Sequence, residues 1–123
     1  MKEINNNIQE SYCSIEVSKL LKEKGCNLNT EKVFLEGFII PFWKDGLCSK
    51  DKDIIVCEYI SHTLAIEWLR VNFGIWIFAI PFDDHDWIGR IIKIDEIYEY
   101  DQLVHSPQEA IEAALLHTLT KLI

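Results

Sequence analysis

A ten-residue apolar run, "FGIWIFAIPF" at residues 73–82, limits the possible folds more than any other segment. It is half the length of about 20 residues that a membrane-spanning helix needs. Its β-branched and aromatic residues favour a strand, and apolar side chains on both faces are typical of a central strand covered on both sides. We therefore predict a buried strand over 75–82, with its second face covered by the first helix or by another copy of the chain.

The first two of the three predicted helices have a capping residue before them and a glycine after them. Ser14 precedes "IEVSKLLKEK", and Gly25 follows it as a left-handed terminator. Either Ser61 or Thr63 can cap the second helix, "LAIEWLRVNF", which Gly74 ends.

The third helix has the strongest start signal in the chain. Ser106-Pro107-Gln108-Glu109 is a capping box with proline at the first helical position. Its predicted core stripe comprises Ile111, Leu115, Leu119 and Leu122, with Ala110, Ala113 and Ala114 beside it.

Strand patterns fill the intervals between these helices. Gly37 is predicted as a possible bulge and Pro41 as an edge or an end within the first strand. The predicted order is α-ββα-ββα, an α+β fold with about four strands in one mainly antiparallel sheet and helices packed on it. The predicted strands are 31–43, 54–60, 75–82 and 87–98.

The length of 123 residues fits one domain. Residues 1–12 lack periodicity and are predicted to be a flexible arm, and 13–123 a single α+β domain. The amino terminus lacks the apolar core of a signal peptide, and the four cysteines lack zinc-finger spacing. We therefore expect a cytoplasmic protein with reduced thiols and no membrane association.

The net charge of −8 comes from one part of the chain. Residues 1–50 balance seven acids with seven lysines, whereas 51–123 hold thirteen acids and five bases. A phosphate-binding surface needs clustered Lys and Arg, so we expect no direct nucleic-acid binding. A protein partner with a basic surface remains compatible with this charge.

The segment "IPFDDHDWIG" raises the question of an acid-base or metal site. Asp83, Asp84, His85 and Asp86 lie between two apolar strands. Aspartate is favoured in turns because its carboxylate accepts nearby backbone N–H bonds. A hard cation could bind two of these carboxylates together with backbone carbonyls. A transition metal could use His85 and Asp83 as ligands. We predict a solvated turn; contact of these four residues with a protein partner or ligand is the first alternative, and metal binding or catalysis is the second.

Aromatic and arginine residues supply a second candidate site. Trp68 and Trp76 are predicted to lie in the core. Tryptophans at strand ends are frequent interface anchors, and arginines beside aromatic rings can hold a planar anion. The residues predicted for such contacts are Trp43, Trp87, Arg70 and Arg90.

Three segments, "SIEVSKLLKEKG", "SHTLAIEWLRVNFGIWIFAIPF" and "SPQEAIEAALLHTLTKLI", resemble a group of small uncharacterised proteins of gut Bacteroidales and their phages and mobile elements. Ser106-Pro107 replaces the aromatic lead-in to the tail of that group. The resemblance implies a phage or mobile-element context and carries no assigned activity. The matching residues are Thr63, Trp68, Leu69, Arg70, Ala110, Leu119, Leu122 and Ile123.

Catalytic motifs give little support for an enzyme. Cys57 with Ser61-His62 is the nearest arrangement to a nucleophile and base, and it matches no hydrolase signature. We therefore predict a non-enzymatic binding protein without a cofactor or metal, which acts through self-association and a protein partner. The alternatives are a protein that sequesters a small nucleotide-like anion and an enzyme that uses Asp83, His85 or Asp86.

Overall fold

The structure, a computed structural model, describes residues 3–47, 54–93 and 96–123. The predicted strand residues Ile94 and Asp95 lie outside these ranges, as does Cys48. In the described part the order is α-βββα-βββα, one strand more in each half than predicted. The elements are α1 (Ile15–Glu23), β1 (Lys32–Leu35), β2 (Phe42–Trp43), β3 (Ile55–Glu58), α2 (His62–Phe73), β4 (Ile75–Pro81), β5 (Trp87–Lys93), β6 (Glu96–Val104) and α3 (Pro107–His117).

The helix ends lie where the capping residues predict them. Ser14 accepts a bond from the Val17 N–H at the start of α1, and Ser61, rather than Thr63, caps α2 through the Leu64 N–H. Gly74 ends α2 in the left-handed region with φ +66°. Gly25 follows α1 with φ +97°.

Helix α3 also begins as its capping box predicts. The Ser106 hydroxyl accepts a bond from the Glu109 N–H at 3.1 Å, and Pro107 occupies the first turn. The helix continues into a π-helical turn, Thr118–Leu122, which carries the predicted stripe to the chain end. The fully buried side chains of the helix and this turn are Ala110, Ala114, Leu115, Thr118 and Leu119, whereas Ile111 and Leu122 of the predicted stripe are half-buried.

The first sheet has the order β2-β1-β3 and is antiparallel. The prediction of one strand over 31–43 is wrong because the chain turns at Gly37, which has φ +81°. The Phe38 N–H donates to the Leu35 carbonyl at 3.0 Å and closes this turn. Gly37 therefore separates two strands, while the irregular register lies at Phe34/Leu35.

The second sheet has the order β4-β5-β6 and is also antiparallel. The prediction of one strand over 87–98 is wrong because Lys93 is paired with Glu96, so the chain reverses between them. The single four-stranded sheet is accordingly replaced by two separate three-stranded sheets. The segments predicted as single strands, 31–43 and 87–98, each contain residues of two paired antiparallel strands.

The main core lies between the helices and one face of the second sheet. Helix α3 packs across β4, β5 and β6, α2 packs on β4, and α1 packs on β3 of the first sheet. The fully buried side chains of this core include Leu21, Leu69, Ile75, Ile91 and Leu115. No helix within the described ranges is both long and apolar enough to cross a membrane.

Within the single chain, strand β4 is covered on one face only, so of the two predicted covers for its second face the first helix is not the one, and another copy of the chain stays a prediction. Ile75 and Ile77 are buried beneath the helices, whereas Trp76 and Phe78 alternate outward and are 45% and 43% exposed. The prediction that Trp76 lies in the core is therefore wrong, and Trp68 is half-buried. Helix α1, the predicted cover, packs on the other sheet.

Candidate functional site

The outward face of the second sheet is a part-exposed apolar surface. Pairing between β4 and β5 is regular and places Trp76 opposite Ile92, Phe78 opposite Arg90, and Ile80 opposite Ile88. Opposed residues point to the same side of a sheet. We call this set, Trp76, Phe78, Ile80, Ile88, Arg90 and Ile92, the open face.

Two arginines flank the aromatic centre of the open face. The rings of Trp76 and Phe78 are stacked, with centroids 6.4 Å apart and planes 9° from parallel. The Arg70 guanidinium, from the last turn of α2, lies 5.3 Å from the centre of the Trp76 ring. Arg70 also donates to both carboxylate oxygens of Glu67, and this hydrogen bond lowers the pKa of Glu67.

The fold separates the four residues predicted for a common pocket. Arg70 and Arg90 both lie at the open face, as described above. Trp87 is paired with Pro81 and points to the helix-covered side, because it alternates with Arg90 along β5. Trp43 belongs to the first sheet. Trp76, which was predicted to lie in the core, takes the place beside the arginines.

Trp43 contributes to a cleft of about 330 Å³ at the edge of the first sheet. The Lys32 ammonium lies 4.5 Å from the centre of the Trp43 ring and 5.9 Å from that of Tyr59. Tyr12 stacks on Tyr59 with centroids 4.3 Å apart. The chain's own lysine thus lies against the aromatic walls, and this cleft differs from the predicted arginine pocket.

The acidic turn, Asp83 to Asp86, connects β4 to β5. The Asp83 carboxylate accepts bonds from the N–H groups of His85 and Asp86 at 2.8 and 2.7 Å. Asp83, Asp84 and His85 are exposed, and Asp86 lies 3.3 Å from the His105 ring. The carboxylate of Asp83 therefore organises the turn, as aspartate commonly does.

We expect Asp83→Ala to lower the free energy of unfolding by about 1 kcal/mol, because two backbone N–H groups lose their acceptor. Asp84→Ala, at a neighbouring exposed position, is the matched control and should change it by less than about 0.5 kcal/mol. Urea titration of both variants measures the difference. Equal effects of the two substitutions would show that Asp83 has no special part in the turn.

A buried polar cluster joins the amino-terminal segment to α2 and α3. His62 Nε2 lies 2.7 Å from Glu112 Oε2, and His62 Nδ1 lies 2.9 Å from Ser11 Oγ. The other Glu112 oxygen accepts the Ser14 N–H at 3.0 Å. Because a carboxylate only accepts, His62 donates through Nε2, and in a neutral imidazole the Ser11 hydroxyl donates to Nδ1.

Cys13 completes this cluster. It is 2% exposed, and its sulfur lies within 4.8 Å of the donor atoms of His62 and Glu112. Burial, followed by the negative charge of Glu112, raises the pKa of the Cys13 thiol. Burial acts to raise the pKa of Glu112 as well, but hydrogen bonds from His62 and Ser14 together hold it below its usual value. These three residues offer sulfur, nitrogen and oxygen ligand atoms.

Sequence reasoning associated His62 with Cys57 and missed Cys13 and Glu112. Cys13 and Glu112 lie 49 and 50 positions from His62, so no local motif joins them. The one sequence signal is that Cys13 and His62 are next to helix starts, which Ser14 and Ser61 mark, whereas Glu112 lies in the middle of α3. An antiparallel bridge between Tyr12 and Ser61 brings two of these starts together.

Comparisons with known proteins add no identification. No protein-family model, curated protein or solved structure matches this chain.

Proposed function

We propose that this protein works by binding, and that its first partner is a second copy of the same chain docked on the open face. The observation that carries this proposal is the pair of stacked, part-exposed aromatic rings, Trp76 and Phe78, on a sheet covered on one side. Contiguous apolar patches that are exposed in a single chain are typical of surfaces that bind a partner.

Burial of the open face would supply useful binding energy. Trp76 and Phe78 expose a little under half of their surfaces. At about 25 cal/mol per Å² of apolar surface, burial of this exposed part contributes about 2 kcal/mol for each side chain. Two-fold symmetry applies this gain twice, because the same patch is used by both copies.

Strand β4 favours a second copy as the occupant. Within the described ranges it pairs only with β5, so its other side is an edge. All seven of its residues, "IWIFAIP", are uncharged, and its register with β5 is unbroken. Burial of this strand in an interface would therefore desolvate no charged side chain of its own. The two open faces would pack against each other with their β4 strands antiparallel, which buries the aromatic rings of both copies.

Charge complementarity supports this arrangement. When the two β4 strands pack antiparallel, the Ile75 end of one strand lies against the Pro81 end of the other. The acidic turn follows Pro81, and Arg70 lies over Trp76 near the Ile75 end. The acidic turn of each copy would thus approach Arg70 of the other, which favours encounter and fixes register.

The wider role is part of the same proposal. We infer a cytoplasmic accessory protein of a phage or mobile element, whose acidic surface meets a protein partner with a basic surface. The resemblance of three segments supports this context, and the excess of acids over bases in residues 51–123 supports the partner charge. Cys13, Cys26 and Cys57 are free thiols, which is typical of reducing compartments.

A small nucleotide-like anion is the second candidate occupant. It is favoured by one observation, the placement of the Arg70 guanidinium over the Trp76 ring and of Arg90 opposite Phe78 in the strand pairing. Such rings stack on a base while guanidinium groups pair with phosphate.

The test is the mass in solution of the wild type and of Phe78→Glu, by light scattering across a dilution series. We expect a dimer for the wild type and at least about a 100-fold weaker association for Phe78→Glu, because a charge is buried twice in a symmetric interface. The matched control is Phe38→Glu, at an aromatic residue 50% exposed in the turn of the first sheet.

A wild-type monomer at all concentrations would overturn self-association. A dimer that persists in Phe78→Glu would place the interface elsewhere. Melting curves with a panel of nucleotides address the second candidate: a shift that Arg90→Ala removes would favour the anion, and the absence of any shift would exclude it.

A further inference from the structure

We propose that Cys13, His62 and Glu112 form a binding site for a divalent transition metal of the zinc type. The three residues come from the segment before α1, the start of α2 and the first half of α3. Their sulfur, nitrogen and oxygen atoms all lie within 4.8 Å of one another. This site is independent of the open face.

The ligand set fits the chemistry of zinc. Thiolate, imidazole and carboxylate are its three usual protein ligands, at about 2.3, 2.0 and 2.0 Å. Tetrahedral coordination at these lengths needs the ligand atoms about 3.3–3.6 Å apart. The contact between His62 and Glu112, at 2.7 Å, must open slightly, and the Cys13 sulfur must move inward. Side-chain rotations suffice for changes of this size.

Neighbouring groups already hold two of the ligands in place. Ser11 Oγ contacts the second ring nitrogen of His62 at 2.9 Å, and the Ser14 N–H donates to the second oxygen of Glu112 at 3.0 Å. Metal-bound histidines and carboxylates nearly always have such partners, which fix the tautomer and orientation. Rotation about these bonds would leave His62 Nε2 and Glu112 Oε2 directed at the metal.

One of the three residues, Cys13, borders an open depression. The depression has a volume of about 620 Å³ and is also lined by Gln9, Glu10 and Tyr12. Binding of the ion at Nε2 of a neutral His62 would leave the ring proton on Nδ1, where Ser11 Oγ can accept it. The proton of the Cys13 thiol would leave to solvent as the metal enters.

The bound metal would act as a clamp. Successive ligands are separated by about fifty residues, and they tie the amino-terminal segment to the start of α2 and the middle of α3. An ion that binds the folded chain alone raises the melting temperature in proportion to the logarithm of its free concentration.

The first experiment uses Co²⁺ as a spectroscopic probe on the full, reduced, chelator-treated chain. Thiolate coordination gives an intense charge-transfer absorption that oxygen and nitrogen ligands do not give. We expect this absorption to saturate at one Co²⁺ per chain and to disappear on addition of excess Zn²⁺. The decisive comparison is Cys13→Ser against a chain in which Cys26, Cys48 and Cys57 are all serine.

The absorption should be lost in Cys13→Ser and retained in the triple variant. Its absence in the wild type, or its persistence in Cys13→Ser, would overturn the proposal. The wild type provides a readout that no substitution can disturb: Zn²⁺ should raise its melting temperature, and an unchanged melting temperature counts against the site. Glu112→Gln, which keeps the shape of the side chain, should weaken Co²⁺ binding at least about tenfold.

Discussion

Replacing Leu115 with alanine is expected to lower the free energy of unfolding by about 2–5 kcal/mol. The side chain is fully buried in the core between α3 and the covered face of the second sheet. Its removal leaves a cavity that the surrounding helices and strands refill only in part. A loss of this size is a large fraction of the stability of an ordinary domain of this length.

Chemical denaturation of Leu115→Ala with the wild type measures this loss. Leu64→Ala is the matched control, because Leu64 also lies in a helix but is 43% exposed. The control should change the free energy of unfolding by less than about 1 kcal/mol. Equal losses in the two variants would contradict the placement of the main core beneath α3.

Replacing Glu112 with alanine is expected to cost about 2 kcal/mol in a chain freed of metal by a chelator. The substitution leaves the His62 Nε2–H and the Ser14 N–H without the acceptor that each now has. The unsatisfied donor of the buried His62 costs about 1–3 kcal/mol, whereas the exposed Ser14 N–H can bond to water instead. Gln108→Ala, at an exposed position of the same helix, should have little effect.

The dependence of this loss on pH provides a further check. The folded state holds the pKa of Glu112 below its usual value, so the stabilisation comes from the ionised carboxylate. It is fully present above the unfolded-state pKa of about 4.3 and is lost as the pH falls through the lower folded-state pKa. The difference between wild type and Glu112→Ala should therefore shrink in acid. A difference that grows in acid would contradict the ionised form.

The local elements were predictable because their signals are short-range. Ser14, Ser61 and Ser106 each accept a backbone N–H within three residues, so the helix starts can be found from sequence alone. Gly74 ends α2 for an equally local reason, since glycine adopts a left-handed φ without strain. The α+β class follows from these elements and from the apolar strand patterns between them.

The strand count was wrong where a reversal lay within a continuous apolar pattern. Gly37 was predicted as a bulge, but a bulge and a turn both use glycine with positive φ, and pairing decides between them. The antiparallel pairing of β1 with β2, and of β5 with β6, selects the reversal in both cases. Each pairing depends on residues from both sides of the turn, which periodicity within one strand does not report.

The sequence by itself determined where the helices begin and end, that the chain is α+β, and that Asp83 to Asp86 form a turn. Only the tertiary structure decided which face of β4 is covered, and hence that Trp76 and Phe78 are exposed beside Arg70. It alone brought Cys13 and Glu112 to His62. The physical reason is range: caps and turns use bonds between near neighbours, whereas the open face and the buried cluster depend on packing between segments about fifty residues apart.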